Sequence, residues 1–150
     1  MGRISSINTG FWTSPQVVDN FTPEERYVYL YCLTNPRTNL CGCYEVSIKT
    51  IAFETGMERY EVRDILDRLQ HRHSVICYDA DTRELFIINW LRNHWNGSPR
   101  WQKNALRSLR KVKSRWLRVL ARAQFLRMLE MDRAAKKEGV RLYFRTPFRP

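Results

Sequence analysis

The chain has 150 residues, of which 43% are apolar, with five Trp, seven Tyr and seven Phe. That length and content support one ordinary domain, or a small domain with an appendage, and exclude a disordered chain. Its net charge of +11 is unevenly placed: residues 1–90 hold nine basic and twelve acidic side chains, a balance of −3, and residues 91–150 hold seventeen and three, a balance of +14. A surplus confined to the C-terminal part points to a polyanionic partner, either nucleic acid or an anionic membrane surface.

The start, MGRISSINTGFW, lacks the apolar run and cleavage site of a signal peptide, and no stretch reaches the ~18 consecutive apolar residues of a transmembrane helix. The expectation is a cytoplasmic protein, intracellular in a bacterial host, whose Cys32, Cys41, Cys43 and Cys77 stay reduced. Arg3–Asn8 reads as extended, and Phe11, Trp12, Val17, Val18 and Phe21 as anchors scattered through a loop. Thr22-Pro23-Glu24-Glu25 is a capping box with proline in the first helical position. It opens a helix through Tyr27, Leu30, Tyr31 and Leu33 that Asn35-Pro36 stops. A polar loop, Arg37–Gly42, and a short extended piece, Tyr44–Val46, lead to Ser47, which caps the next helix.

The stretch Ile48–Leu69 has the pattern of a helix-turn-helix. Ile51 and Ala52 sit on a first short helix, Ala52 being the small residue that two steeply crossing helices need. Gly56 follows where the chain turns with φ > 0. Val62, Ile65, Leu66 and Leu69 then form one face of a second helix, Arg59–Arg72. Val75–Tyr78 reads as a strand, Asp79–Arg83 as a polar turn and Glu84–Trp90 as a second strand. Helix, short strand, helix-turn-helix and hairpin is the order of a winged helix, an α+β fold. The expected divisions are a winged-helix DNA-binding domain over 1–95, a basic amphipathic helical arm over 96–138 and a tail over 139–150.

Leu33-Thr34-Asn35-Pro36, Thr38–Gly42, Tyr44–Ser47 and Ile51–Gly56 together give the chain a likeness to a known family. It resembles the N-terminal domain of phage replisome organisers, the DnaD-like replication initiation proteins of phages and Gram-positive bacteria, over roughly residues 1–115. The resemblance implies a winged helix that binds DNA near a replication origin and helps recruit the replicative helicase or its loader. Longer relatives carry a second helical domain C-terminal to this one, and the present chain continues for about thirty residues beyond the matching part. DNA binding therefore carries over more directly than loader recruitment.

On the second helix of the motif, Arg59, Tyr60, Arg63, Asp67, Gln70 and His71 are the candidates for reading base edges. Arg63 suits guanine and Gln70 suits adenine. Asp64 and Asp67 sit awkwardly for a phosphate-facing surface unless they pair with Arg63 and His71 or accept from cytosine. Ser98-Pro99 reads as a further helix start. From there Trp101, Ala105, Leu109, Val112, Trp116, Leu120 and Ala123 recur at steps of four, four, three, four, four and three, one stripe of a long helix. Lys103, Arg107, Arg110, Lys111, Arg115, Arg118 and Arg122 fall on its other side. With Lys49, Thr50 and Arg83 they are the candidate phosphate contacts. The stripe, through Trp101, Leu109, Val112, Trp116 and Leu120, is expected to pair with a second copy, giving a homo-oligomer.

Catalytic chemistry is thin. Cys41-Gly42-Cys43 lacks the C-x-x-C spacing of a zinc knuckle, and no phosphate loop or nucleophilic triad occurs. The expectation is a protein that is not an enzyme and holds no metal or cofactor. Its partner is double-stranded DNA, with single strands as a second option. A transcriptional regulator using the same fold, and a protein-docking or membrane-surface module, are the other readings; the membrane is the least favoured.

Overall fold

The computed structural model describes residues 2–140 and 148–150. Thr22 opens the first long helix as its sequence suggests: its hydroxyl accepts from the Glu25 amide, and Glu25 Oε2 accepts from the Thr22 amide at 3.0 Å. This helix, α2 (Pro23–Thr34), comes after a 3-10 turn at Thr9–Thr13 and a short α1 (Pro15–Asn20). The stretch expected as a loop thus winds into two short turns. Phe11, Val17 and Phe21 are buried as anchors, whereas Trp12 and Val18 face solvent.

After β1 (Cys43–Glu45), Ser47 caps α3 (Ile48–Thr55), and Gly56 closes it at φ +73°. α4 (Arg59–Asp67) comes next and packs on α2 and α3. Its apolar face, Val62, Ile65 and Leu66, is buried as the spacing requires. The expected helix to Arg72 changes character at Arg68, where Arg68–Arg72 widens into a π turn. That turn keeps Leu69 wholly buried while Arg68 reaches back to α2. β2 (Ile76–Asp79) and β3 (Glu84–Ile87) form the hairpin, and β3 lies between the others in an antiparallel sheet ordered β1-β3-β2. The fold is α+β, mostly helical, with this small sheet and a long C-terminal helix.

Two expectations fail. The second strand was expected to run to Trp90, but Asn89 takes a left-handed backbone, φ +65°, and turns the chain into α5 (Trp90–His94). The Trp90 ring then lies over Gly42, whose φ is +73° and whose added Cβ would fall 2.3 Å from Trp90 Cγ. The single long helix expected through Trp101–Ala123 breaks in two: α6 (Pro99–Arg110) and α7 (Arg115–Lys137), which pack on each other. Ser114 caps α7 and restarts the helical phase. Ala105, Leu109 and Val112 are buried as expected, but in α7 the buried residues are Leu117, Ala121, Phe125 and Met128. Trp116, Leu120 and Ala123 are exposed.

The arm expected over 96–138 is therefore laid on the rest of the chain, and one apolar core runs from Phe11 to Phe148. Of the tail, residues 141–147 lie outside the described residues. Phe148 packs on Phe11 at a centroid distance of 5.6 Å, and the Asn89 side chain donates to the Pro150 carbonyl.

Glu25 joins α2 to the π turn. It is 1% exposed. Arg68 Nε donates to Oε1 at 2.6 Å, and His73 Nε2 to Oε2 at 3.0 Å. Burial pushes its carboxyl up, but the Thr22 amide, Arg68 and His73 together hold it below the usual carboxylate range. Glu25→Ala leaves a cation and an imidazole without their partner, and should destabilise by about 3–5 kcal/mol in denaturant unfolding, with Glu25→Gln losing less. Gly42→Ala combines overlap with Trp90 and a left-handed backbone, and should cost about 3 kcal/mol or more by the same measurement. Native stability in the Gly42→Ala variant would show that Trp90 does not hold its place over β1.

Candidate nucleic-acid interface

Pairing across the sheet sets Glu45 of β1 opposite Glu84 of β3, and Glu84 opposite Asp79 of β2. Directly opposed residues share a face, so three carboxylates stand in one row at one end of the sheet. The α6–α7 junction closes on that row. Glu84, nearly buried, accepts from the Lys113 amide at 2.8 Å and the Ser114 amide at 2.6 Å. Asp79 Oδ2 accepts from the Ser114 hydroxyl at 2.5 Å and from Trp116 Nε1 at 2.8 Å. Lys113 Nζ donates to Glu45 Oε2 at 2.7 Å. The amino end of α7, with its positive dipole end, meets all three carboxylates.

The start of α3 reaches the same place. The Val46 amide donates to the Arg83 carbonyl at 2.7 Å, and the Tyr78 hydroxyl donates to the Val46 carbonyl at 3.1 Å. The hairpin turn, the first turn of α3 and the α6–α7 junction thus converge. Lys49 of α3, Arg83 of the hairpin turn, and Lys111 and Arg115 of the junction are exposed, and Thr50, half-buried, bonds the Ser47 hydroxyl. Lys113 belongs with this cluster, although the sequence pattern did not single it out. The signal available was Ser114, a capping residue directly after three alternating basic and apolar positions. Lys103 and Arg107 are exposed on α6.

The remaining candidates divide. Arg59, Tyr60, Arg63 and Asp67 are exposed on α4. Gln70 is not available as an outward reader: its Oε1 accepts from the Tyr78 amide at 2.7 Å, tying the π turn to β2. His71 is exposed and lies 3.6 Å from Asp67 Oδ1. His73, two residues on, is buried against Glu25. Arg110, Arg118 and Arg122 edge a groove between α6 and α7, with Arg118 Nη1 donating to the Val112 carbonyl at 3.3 Å. The residues expected as a self-association seam do not share a face. Leu109 and Val112 are inside the chain's own core, Trp101 is half-buried, and Trp116 and Leu120 are exposed on the far side of the helical break.

Cys32, Cys41 and Cys43 are buried free thiols and Cys77 is half-buried. Burial pushes all four up, Cys32 to about 12, so they are protonated near neutrality. Among the described residues no three His, Cys, Asp or Glu side chains are placed to hold a metal ion, and no helix is long and apolar enough to cross a membrane. Comparison of the chain with protein-family models, with curated proteins and with solved structures finds no match.

The Ser114 hydroxyl, helped by the turn amides and Trp116, holds the Asp79 carboxyl below its usual range against the opposing effect of burial. A depressed carboxyl contributes stability that is complete above its unfolded value, about 4, and is lost as pH falls through the lower folded value. Asp79→Asn should therefore lower stability at pH 7 and match the unchanged protein in strong acid. Equal stability of the two proteins at pH 7 would remove Asp79 from the clamp.

Proposed function

We propose that this chain is a winged-helix DNA-binding protein that acts in replication initiation. The observation that carries the reading is convergence: the turn of a hairpin in a sheet ordered β1-β3-β2, the residues that lead into α3 and the α6–α7 junction meet at one end of the sheet, and each of these segments bears exposed cations. In a winged helix that hairpin is the wing, α3 and α4 are the helix-turn-helix, and α4 enters the major groove. Lys49, Arg83, Lys103, Arg107, Lys111 and Arg115 contact phosphates, with Thr50 as a hydroxyl donor. Arg63, flanked by Arg59 and Tyr60, reads a guanine edge. Origin DNA as the target, and a helicase or its loader as a further partner, rest on the resemblance carried by Leu33–Pro36 and Ile51–Gly56.

The reading makes affinity electrostatic and specificity local. If these six cations neutralise ~6 phosphates, the logarithm of the duplex association constant falls with the logarithm of salt at a slope of about −5. Arg115→Ala should weaken all sequences alike and reduce that slope by about 1. Arg63→Ala should relax preference by about 1–3 kcal/mol at one or two base pairs, read from a panel of single-base variants of a selected site. Uniform loss in both variants would take α4 out of base readout. A flat salt dependence would overturn the DNA reading itself.

A further inference from the structure

The break at Lys111–Ser114 lays α7 alongside α6 and leaves a groove of about 620 Å³ between them. Leu109 and Phe125 form its buried floor, and Leu106 and Leu129 its half-buried walls. Val119 and Leu126 stand at its lips, 66% and 46% exposed. Arg110, Arg118 and Arg122 border it, and among the described residues no carboxylate lines it. Positions 115, 118, 122, 126, 129 and 133 succeed one another at steps of three, four, four, three and four. Arg115 and Arg133 therefore extend the same side of α7 beyond the two leucines.

We propose that this groove docks an amphipathic helix of another protein, with Leu-like side chains facing in and carboxylates on its flanks. The length fits: Arg118 to Leu129 rises about 17 Å, three turns of helix, which presents apolar anchors at i, i+3 or i+4, and i+7. The charge decides between occupants. Three guanidiniums around an apolar floor favour bidentate carboxylates at the rim. A second copy pairing groove to groove sets Arg against Arg. Nor does α4 of a second copy offer a suitable helix. The acidic α4, with Glu58, Glu61, Asp64 and Asp67, has its apolar face Val62, Ile65 and Leu66 buried in its own core. Nucleic acid would match the arginines but leave Val119, Leu126 and Leu129 against a polar backbone. None of the residues lining the groove is among the six cations assigned to phosphates; only Arg115, on the same side of α7 beyond the end of the groove, also belongs to that surface.

The test uses the full chain and a fluorescein-labelled 16-residue synthetic helix with Leu at i, i+3, i+7 and i+10 and Glu on both flanks. Saturable binding by anisotropy is expected. Arg122→Glu and Leu126→Glu, both at exposed positions that leave the core intact, should each weaken it by about tenfold or more. A helix with Lys in place of Glu should bind Arg122→Glu better than the unchanged chain. Failure of the Glu helix to bind, or equal binding by a scrambled peptide, overturns the proposal. So does a dimer in sedimentation that Leu126→Glu dissociates, which would make a second copy the occupant. Loss of duplex DNA affinity in Leu126→Glu comparable with its loss of peptide affinity would likewise overturn it, assigning the groove to nucleic acid.

Discussion

Glu45, Glu84 and Asp79 stand side by side across one end of a three-stranded sheet, and left alone they repel. The structure answers that repulsion with a helix end. The Lys113 and Ser114 amides, the Ser114 hydroxyl, the Trp116 indole and the Lys113 ammonium all donate into the row. The amides at the amino end of a 23-residue helix would otherwise lack acceptors, and the carboxylates would otherwise lack donors. Each set completes the other, and the meeting fixes where α6 must stop and α7 must begin.

That one junction has wide consequences. By stopping α6 at Arg110 it restarts the helical phase, so Leu117, Ala121, Phe125 and Met128 enter the core in place of Trp116, Leu120 and Ala123. It folds the most basic part of the chain back on the domain, so that Lys111 and Arg115 flank the residues bonded to Glu84 and Asp79 instead of trailing on an arm. It also opens the space between α6 and α7, where the remaining arginines collect around an apolar floor. One polar contact thereby separates the cations into two surfaces of different chemistry: one almost wholly polar, the other apolar with a charged edge.

A second buried carboxylate sets the other side of the molecule. Glu25 caps its own helix and also receives Arg68 and His73, so α2, α4 and the π turn are fixed relative to one another. The Phe21 ring, 4.3 Å from the His73 ring, packs beside the pair. Gln70 finishes the arrangement by bonding the Tyr78 amide of β2. The exposed edge of α4 with Arg59, Tyr60 and Arg63 is thus carried on a helix whose far end is clamped at two points.

Local signals were readable in the sequence wherever the physics was local. Thr22-Pro23-Glu24-Glu25, Ser47 and Gly56 set helix ends because each acts within three or four residues of itself. Val62, Ile65 and Leu66 declared a buried face by spacing alone, and the hairpin declared itself by its polar turn. The charge asymmetry was equally plain. What the sequence could not display was any contact that joins distant residues. Trp116 and Leu120 continued a regular stripe, and nothing near them announced that Asp79 and Glu84, some thirty residues earlier, would capture the Ser114 amide and hydroxyl and turn the phase. Gln70 read as a surface residue until β2 was placed beside it. Periodicity reports the face a helix would show if it ran on unbroken. Where it breaks, and which face is then buried, was decided by carboxylates that only the folded sheet brings into one row.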